Sequence, residues 1–535
     1  MADLPNDTTL HYAICFDYKK AVRLVGRYLF LAACSFVTAW LVYASFPKKS
    51  IAMLAWIAWT PFIWGVSKLK GFWSSFFYGG FTGFLFHSAL LYWVYYTCVH
   101  GGGLSVGLSV AAWLGLSALL SVQTACLGGC CYYLKETGPF FPFLIACGFV
   151  ALEWLHQLIA FYGIGFPWFM WGYTQWNVPA ALQLAAYAGT YGVGFVLFWT
   201  SASLGMACST HQLKHRLIHV LVACVLCMVT FGWGKYRLAD ATAHRPSLLN
   251  LSAALLQPNI DQYKKWDPAF EQEITDTLAE LGQEISDKNI RLAVWPESTL
   301  PGDLLDEKYF TLMKNISSTS ASFQVIGSPV YQDRVPYVGA YLMAPSRDTL
   351  QYYRKVKRVP FGEYLPAAGL VRSLFPQADI LGENGDFSAG PLKQPLLNAD
   401  GVLLGSTICY EAIFPQIWQY QTRQGAKLFV NLTNDAWFFD TAAPYQHLSA
   451  NILRAVETGR PVLRAANTGI SAVISPLGHL EQHSDLFTRT VLHARIPLMT
   501  GTKQTVYTQY GDWFAWVCAA LFFTALISSM VFAYE

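Results

Sequence analysis

The sequence predicts a multi-pass α-helical membrane protein with about eight spans, carrying an α/β domain outside the membrane. Three observations predict it. Only 13% of the 535 residues are charged, while 54% are hydrophobic and 16% aromatic; an ordinary soluble protein carries about 25% charge. The charges are also unevenly spread. Between Tyr28 and Tyr236 they are confined to Lys48, Lys49, Lys68, Lys70, Lys135, Glu136, Glu153, Lys214, Arg216 and Lys235, and from Arg237 onward they become frequent. From Leu249, short β-rich runs alternate with helical ones, the pattern of a layered α/β domain. A net charge of +3 with no long basic run removes the electrostatic footprint of a nucleic-acid binder. The hydrophobicity excludes intrinsic disorder.

A membrane-crossing helix needs about 20 mostly apolar residues. Such runs lie near 24–46, 50–67, 74–98, 104–133, 140–161, 190–208 and 216–235, with an eighth near 512–533. The first two alternatively form a re-entrant hairpin. The expected division is a membrane domain over 1–236, a soluble domain over 237–508 and a C-terminal span within 509–535. The polar stretch Met1–Lys20 lacks the apolar core of a cleaved signal peptide. With the N-terminus inside, Lys19, Lys20, Arg23, Arg27, Lys68, Lys70, Lys135, Lys214 and Arg216 are cytoplasmic, and the short outer loops hold only Lys48 and Lys49. That bias places the soluble domain outside.

In the soluble part, Leu251–Leu256, Arg291–Trp295, Gln324–Gly327, Ala340–Ala344, Leu403–Ile408 and Leu428–Leu432 read as strands, mostly apolar enough to be central. Helical patterns follow at Phe270–Ser286, Glu307–Thr319, Phe414–Gln424 and Tyr445–Thr458. Of the 12 cysteines, Cys409 alone lies within 237–508, so it has no disulfide partner there.

Three reactive positions sit at or near strand ends. Trp295-Pro296-Glu297-Ser298 supplies a carboxylate, Tyr353 to Glu363 supplies Lys355, Lys357 and a second carboxylate, and Ile408-Cys409-Tyr410-Glu411 supplies the thiol. A thiol at a strand-to-helix turn is expected to favour thiolate. A nearby carboxylate suits a general base, and an ammonium suits an oxyanion. Singly, a strand-end Glu is more often a solvated rim residue and a lysine cluster a solvated surface. The combination is far more specific. No His/Cys cluster has metal-ligand spacing, so no metal and no other cofactor is expected. His447 reads as a structural helix-start residue.

The order Glu297, Lys355, Cys409 on an α/β domain resembles the nitrilase superfamily. The membrane half and further strings narrow the resemblance to the apolipoprotein N-acyltransferase family: Gly165-Phe166-Pro167-Trp168, Gln257-Pro258-Asn259-Ile260, Lys265-Trp266, Val359-Pro360-Phe361-Gly362-Glu363, Asn434-Asp435-Ala436-Trp437-Phe438, Gln446-His447-Leu448 and Gly459-Arg460-Pro461. The resemblance implies an αββα sandwich in a bacterial inner membrane, on its periplasmic side. It implies transfer of an acyl chain from a membrane phospholipid, through a Cys409 thioester, to the α-amine of a diacylglyceryl apolipoprotein. Glu297 is then the base and Lys355, five residues before Pro360, the oxyanion donor. Glu363, Tyr410 and Glu411 match positions that orient this triad. Trp266, Asn434, Trp437 and Phe438 match substrate-path positions.

The uncharged, aromatic-rich loop Phe161–Trp176 suits either a lipid entrance or an interfacial anchor. Glu153 in the fifth span needs a partner or water, with His156 about one turn away. Phe439 stands where the family usually has Gly, Tyr445 where a smaller or polar residue is common, and His156 where a basic residue is usual. Two other readings remain: a membrane-tethered amidase or hydrolase, which leaves the spans unexplained, and a catalytically silent transporter with an external binding domain, whose paired intramembrane ionisable sites are missing. A monomer is expected.

Overall fold

A computed structural model describes residues 8–243, 248–346, 349–369, 373, 387–499 and 503–532. The polar N-terminal reading falls outside these residues through Asp7. Among the described residues, five helical stretches are long and apolar enough to cross a membrane: Lys20–Ser45, Val106–Tyr162, Ala185–Ser209, Leu213–Ala241 and Trp513–Val531. The longest breaks at Gly138 (φ 62°, ψ −125°) into the helices Val106–Leu134 and Phe141–Tyr162. The run near 74–98 is the helix Phe72–Leu90, which bends at Leu91 into Tyr92–Tyr96 and one π turn, Thr97–Gly101.

The expected span at 50–67 does not form. It is a 3-10 turn, Ala52–Trp56, followed by the helix Thr60–Ser67, whose eight residues rise only about 12 Å against a hydrocarbon core of about 30 Å. Ala55, Trp59, Phe62 and Ile63 are buried against protein, while Ile51, Met53 and Ile57 stay exposed. Ser201 donates to the Trp56 carbonyl at 2.8 Å, and Thr60 to the Ser201 carbonyl at 3.1 Å. Hydrophobicity alone does not distinguish such a plug from a span.

The soluble part has twelve strands: β1 Leu248–Gln257, β2 Leu292–Val294, β3 Phe323–Gln332, β4 Val335–Met343, β5 Leu350–Arg354, β6 Leu397–Ala399, β7 Val402–Ile408, β8 Leu428–Thr433, β9 Val462–Ala466, β10 Ala472–Ile474, β11 Leu480–His483 and β12 Thr490–Met499. They form two six-stranded sheets, ordered β12-β1-β2-β3-β4-β5 and β11-β10-β9-β8-β7-β6. Each has a parallel centre, β1-β2-β3 in one and β7-β8-β9 in the other. Between the sheets, Leu255, Val294, Val325 and Leu342 meet Ile408, Val430, Leu432 and Leu463 in one apolar layer. The helices Glu271–Glu284 and Glu307–Thr319 cover the first sheet through Leu278, Leu281 and Met313. The helices Pro415–Arg423 and Ala443–Thr458 cover the second. The result is a helix–sheet–sheet–helix sandwich.

The two outer layers differ. The core of the second runs without a break into that of the membrane helices, so every residue of Ala443–Thr458 except Tyr445 is buried. Its polar side chains fasten the halves together. Gln446 Oε1 accepts both the Trp93 and Trp168 indole N–H groups at 3.0 Å. The Arg454–Glu457 pair bonds Thr190.

Candidate active site

Glu297 lies three residues past the end of β2. The segment carrying it crosses β3 at Gly327, where a Cβ would stand 2.2 Å from the Pro296 carbonyl oxygen and 2.7 Å from Glu297 Cα; only glycine permits that approach. Lys355 directly follows β5, its backbone N–H donating to Val338 O at 2.8 Å. Cys409 directly follows β7 and opens a 3-10 turn, Cys409–Ile413. Its φ of 47° is left-handed, as are those of Ser298 (48°) and Phe361 (63°), so each reactive segment turns sharply at a cost of roughly 1–2 kcal/mol. Three strand ends from two sheets thereby converge.

The Lys355 ammonium is fully buried and binds two carboxylates, Glu297 Oε1 at 3.0 Å and Glu363 Oε1 at 2.5 Å. Glu297 Oε2 accepts the Asn434 backbone N–H at 3.1 Å, and Glu363 Oε2 that of Val359 at 3.0 Å. Burial by itself lowers the lysine, but Glu297 and Glu363 outweigh it and hold Lys355 well above the ordinary lysine range. Burial raises Glu363. Burial also pushes the Cys409 thiol far up, Glu297 adds to this, and Lys355 offsets only part. Burial and Glu297 thus favour the neutral thiol over the thiolate expected of a strand-to-helix turn. The turn has no long helix behind it, and a carboxylate stands closer in effect than any helix end. A base must remove the proton.

Glu411 reaches away from the sulfur. It accepts the backbone N–H groups of Ile408 (2.7 Å), Val356 (2.5 Å) and Lys357 (3.2 Å) and the Tyr353 hydroxyl (3.0 Å). It thus ties the Cys409 turn to the Lys355 segment. Burial pushes its carboxyl up to about 7 against those donors. The Tyr410 hydroxyl donates to Gly165 O at 3.2 Å, and its ring stacks on Phe166 and Trp168. The aromatic loop is accordingly packed against the site: Trp168, Trp171 and Tyr173 are buried, and only Tyr162 among its aromatics is exposed. Phe438 packs on Trp93 and Trp168. Trp437 accepts the Thr97 hydroxyl through its carbonyl at 3.0 Å. Trp266 is 45% exposed. Asn434 touches Glu297 through its backbone, while its side chain bonds Gln262 (2.6 Å) and Asn467 (3.2 Å). Glu153 is met by the Trp171 backbone N–H at 2.7 Å rather than by His156.

The sequence reading missed one arrangement. Ligand-type atoms of Cys409, Asp435 and His447 all lie within 4.8 Å of one another, a grouping that linear spacing does not reveal. Protein donors and acceptors already occupy it. Asp435 Oδ2 accepts from Arg464 at 2.6 Å and Oδ1 pairs with His447 Nδ1 at 2.9 Å, while His447 Nε2 donates to the Cys409 carbonyl at 2.8 Å. Arg464 supplies the positive charge that a metal would bring. Burial would raise Asp435, but Arg464 and His447 hold it down at about 2. His447 is a helix residue that steadies the cysteine backbone.

Two family models match this chain: the apolipoprotein N-acyltransferase N-terminal domain over residues 38–203 and carbon-nitrogen hydrolase over residues 252–504. An apolipoprotein N-acyltransferase of Geobacter metallireducens is 33% identical over 491 residues, 90% of this chain and 91% of the relative. The chain belongs to the apolipoprotein N-acyltransferase family. A second member, from Pseudomonas putida, is 32% identical over 85% of this chain and 88% of its own length. Among solved structures, an amidase from Nesterenkonia sp. matches 49% of this chain and 92% of its own, at 20% identity and a TM-score of 0.36. Family membership makes the chain a membrane-inserted acyltransferase with a nitrilase-superfamily domain.

Proposed function

We propose that this enzyme moves an acyl chain from a membrane phospholipid to the α-amine of the N-terminal S-diacylglyceryl-cysteine of an apolipoprotein, through a thioester on Cys409. The observation that carries the reading is the buried Lys355 ammonium shared by Glu297 and Glu363, with both Glu297 and Lys355 close enough to act on the Cys409 thiol. Glu297 takes the Sγ proton as sulfur attacks the ester carbonyl. Lys355 stabilises the oxyanion of the tetrahedral intermediate. On collapse, Glu297 returns the proton to the departing lysophospholipid oxygen. The incoming amine then attacks the thioester, gives its proton to Glu297, and the thiolate leaves to be reprotonated. Glu363, Tyr410 and Glu411 position these groups.

Trp266, Asn434, Trp437 and Phe438 fit the substrate paths in this reading. The membrane domain occupies 1–236, the catalytic domain 237–508 and the last span 509–535. The enzyme acts as a monomer in a bacterial inner membrane, N-terminus cytoplasmic and catalytic domain periplasmic, as the Lys/Arg bias of the loops supports. Membrane helices that share a core with the catalytic domain favour substrates lodged in the bilayer over a water-soluble amide.

Intact mass spectrometry after incubation with a defined phospholipid tests the reading. One hydroxylamine-labile acyl adduct is expected, absent in Cys409→Ala and discharged by a diacylglyceryl peptide to give an N-acylated product. Turnover should fall by roughly 10⁶-fold in that variant, as for other lost nucleophiles. An adduct persisting in Cys409→Ala would sink the mechanism.

A further inference from the structure

Behind the Lys355 segment lies a cavity of about 250 Å³, between the end of the membrane helix Phe141–Tyr162 and the residues after β5. Gly163, Ile164 and Gly165 form its membrane side, Lys357 and Arg358 its catalytic side, and Tyr410 joins the two. The cavity therefore sits where the apolar helix ends, next to the residue that follows the nucleophile.

No acidic residue lines this cavity. The Lys357 ammonium donates to the Phe161 carbonyl at 2.6 Å and lies 5.4 Å and 5.5 Å from the Phe161 and Phe414 ring centroids. Arg358 donates one N–H to the Phe387 carbonyl at 2.6 Å and stands 4.2 Å over the Tyr364 ring. Neither forms an ion pair with a carboxylate among the described residues. The nearby acids among the described residues are committed elsewhere: Glu411 accepts the Lys357 backbone N–H, and Glu363 binds Lys355 and Val359. Each cation keeps donors to spare, held in place by rings and carbonyls. Two fixed cations without a carboxylate partner among the described residues, beside the end of an apolar helix, form a receptor for a phosphate group. The volume admits a headgroup and excludes a whole lipid.

Given the acyl-donor reading above, we propose that Lys357 and Arg358 hold the phosphodiester of the phospholipid in this cavity, presenting its ester to Cys409 across Tyr410. The ligand chemistry, a phosphate oxyanion, is shared with free phosphate, and the test separates the two sources.

Full-length enzyme is acylated in single turnover with phosphatidylglycerol, or with a phosphate-free activated fatty-acyl ester, and Cys409 occupancy is read by mass. Arg358→Gln and Lys357→Gln are each expected to raise the half-saturating phospholipid concentration about tenfold, the equivalent of 1.4 kcal/mol. The phosphate-free donor should react unchanged, which also shows that the variants fold. Arg358→Lys should recover part of the loss. Equal losses with both donors would overturn the site, as would no loss with either. Inorganic phosphate that blocks wild-type acylation by the phosphate-free ester at concentrations below those of the lipid would reassign the cavity to a free anion. Wild-type enzyme that reacts with the ester but never with phospholipid would instead reject the acyl-donor reading.

Discussion

Cys409 stands between two buried groups of charge. On one side Glu297 and Glu363 share the single cation Lys355. On the other Asp435 is held between His447 and Arg464. Both groups are buried, but their stoichiometry differs. The first has one carboxylate more than it has ammonium groups, so a proton has somewhere to go. The second is closed: both Asp435 oxygens, both His447 nitrogens and Arg464 through Asn431 and the Ile470 carbonyl are engaged. The unbalanced cluster is suited to proton transfer, and the fully engaged one to holding the backbone of the turn that carries the thiol.

Replacing a carboxylate by its amide on each side tests this contrast. Asp435→Asn leaves Arg464 buried without its anion and should cost about 3–5 kcal/mol of stability, read as a large fall in the thermal midpoint in detergent. For the wild type the sign runs one way: the Asp435 pair contributes fully above the ordinary value of 3.8 and is lost as pH falls toward about 2. Midpoints insensitive to this substitution would show that the closed cluster is not a scaffold.

Glu411 titrates in the opposite sense. Its carboxyl rises from 4.5 to about 7 on folding, so the folded state holds the proton more tightly. Its contribution is complete below pH 4.5 and is lost as pH climbs through 7, on the order of 3 kcal/mol over that window. Glu411→Gln should remove this slope from the stability–pH curve. A slope shared by wild type and variant would assign it to another group.

Glu363→Gln, on the unbalanced side, leaves Lys355 paired with Glu297. Stability should hold, while acyl-enzyme formation slows about 10–100-fold as one charge-assisted bond to Lys355 weakens. Loss of stability with unchanged rate would reverse the roles assigned to the two clusters. The smallest effect is expected at Phe439, which adopts φ 51° and ψ −161° at the end of the Asp435 turn, a conformation that suits glycine. Its ring meets His100 at 5.5 Å. Phe439→Gly should relieve strain and gain about 1 kcal/mol, read as a small rise in midpoint.

Much of this was legible beforehand where local pattern and tertiary role coincide. The helix Glu307–Thr319 matches its expected limits, and β7 and β8 fall within about a residue of theirs, because apolar runs of strand length bounded by turns have few alternatives. The unread strands were β5, β6 and β9 to β12. β6 and β10 span three residues each, and β11 is the polar edge strand Leu480–His483. The 50–67 run was misread because burial in protein and burial in lipid demand the same side chains.

The class is written in the amino-acid order alone: a charge-poor half against a charge-rich half, one cysteine within 237–508, and motif strings shared with one family. Composition and short-range order record these directly. Folding in three dimensions is what brings burial and Glu297 to bear on the Cys409 thiol and raises it, sets Glu411 to brace backbone while Glu363 shares a cation with Glu297, and closes Asp435, His447 and Arg464 around the cysteine carbonyl. Each depends on which groups remain near a charge once water is excluded, and residues 58 and 137 positions apart along the chain carry no linear trace of that distance.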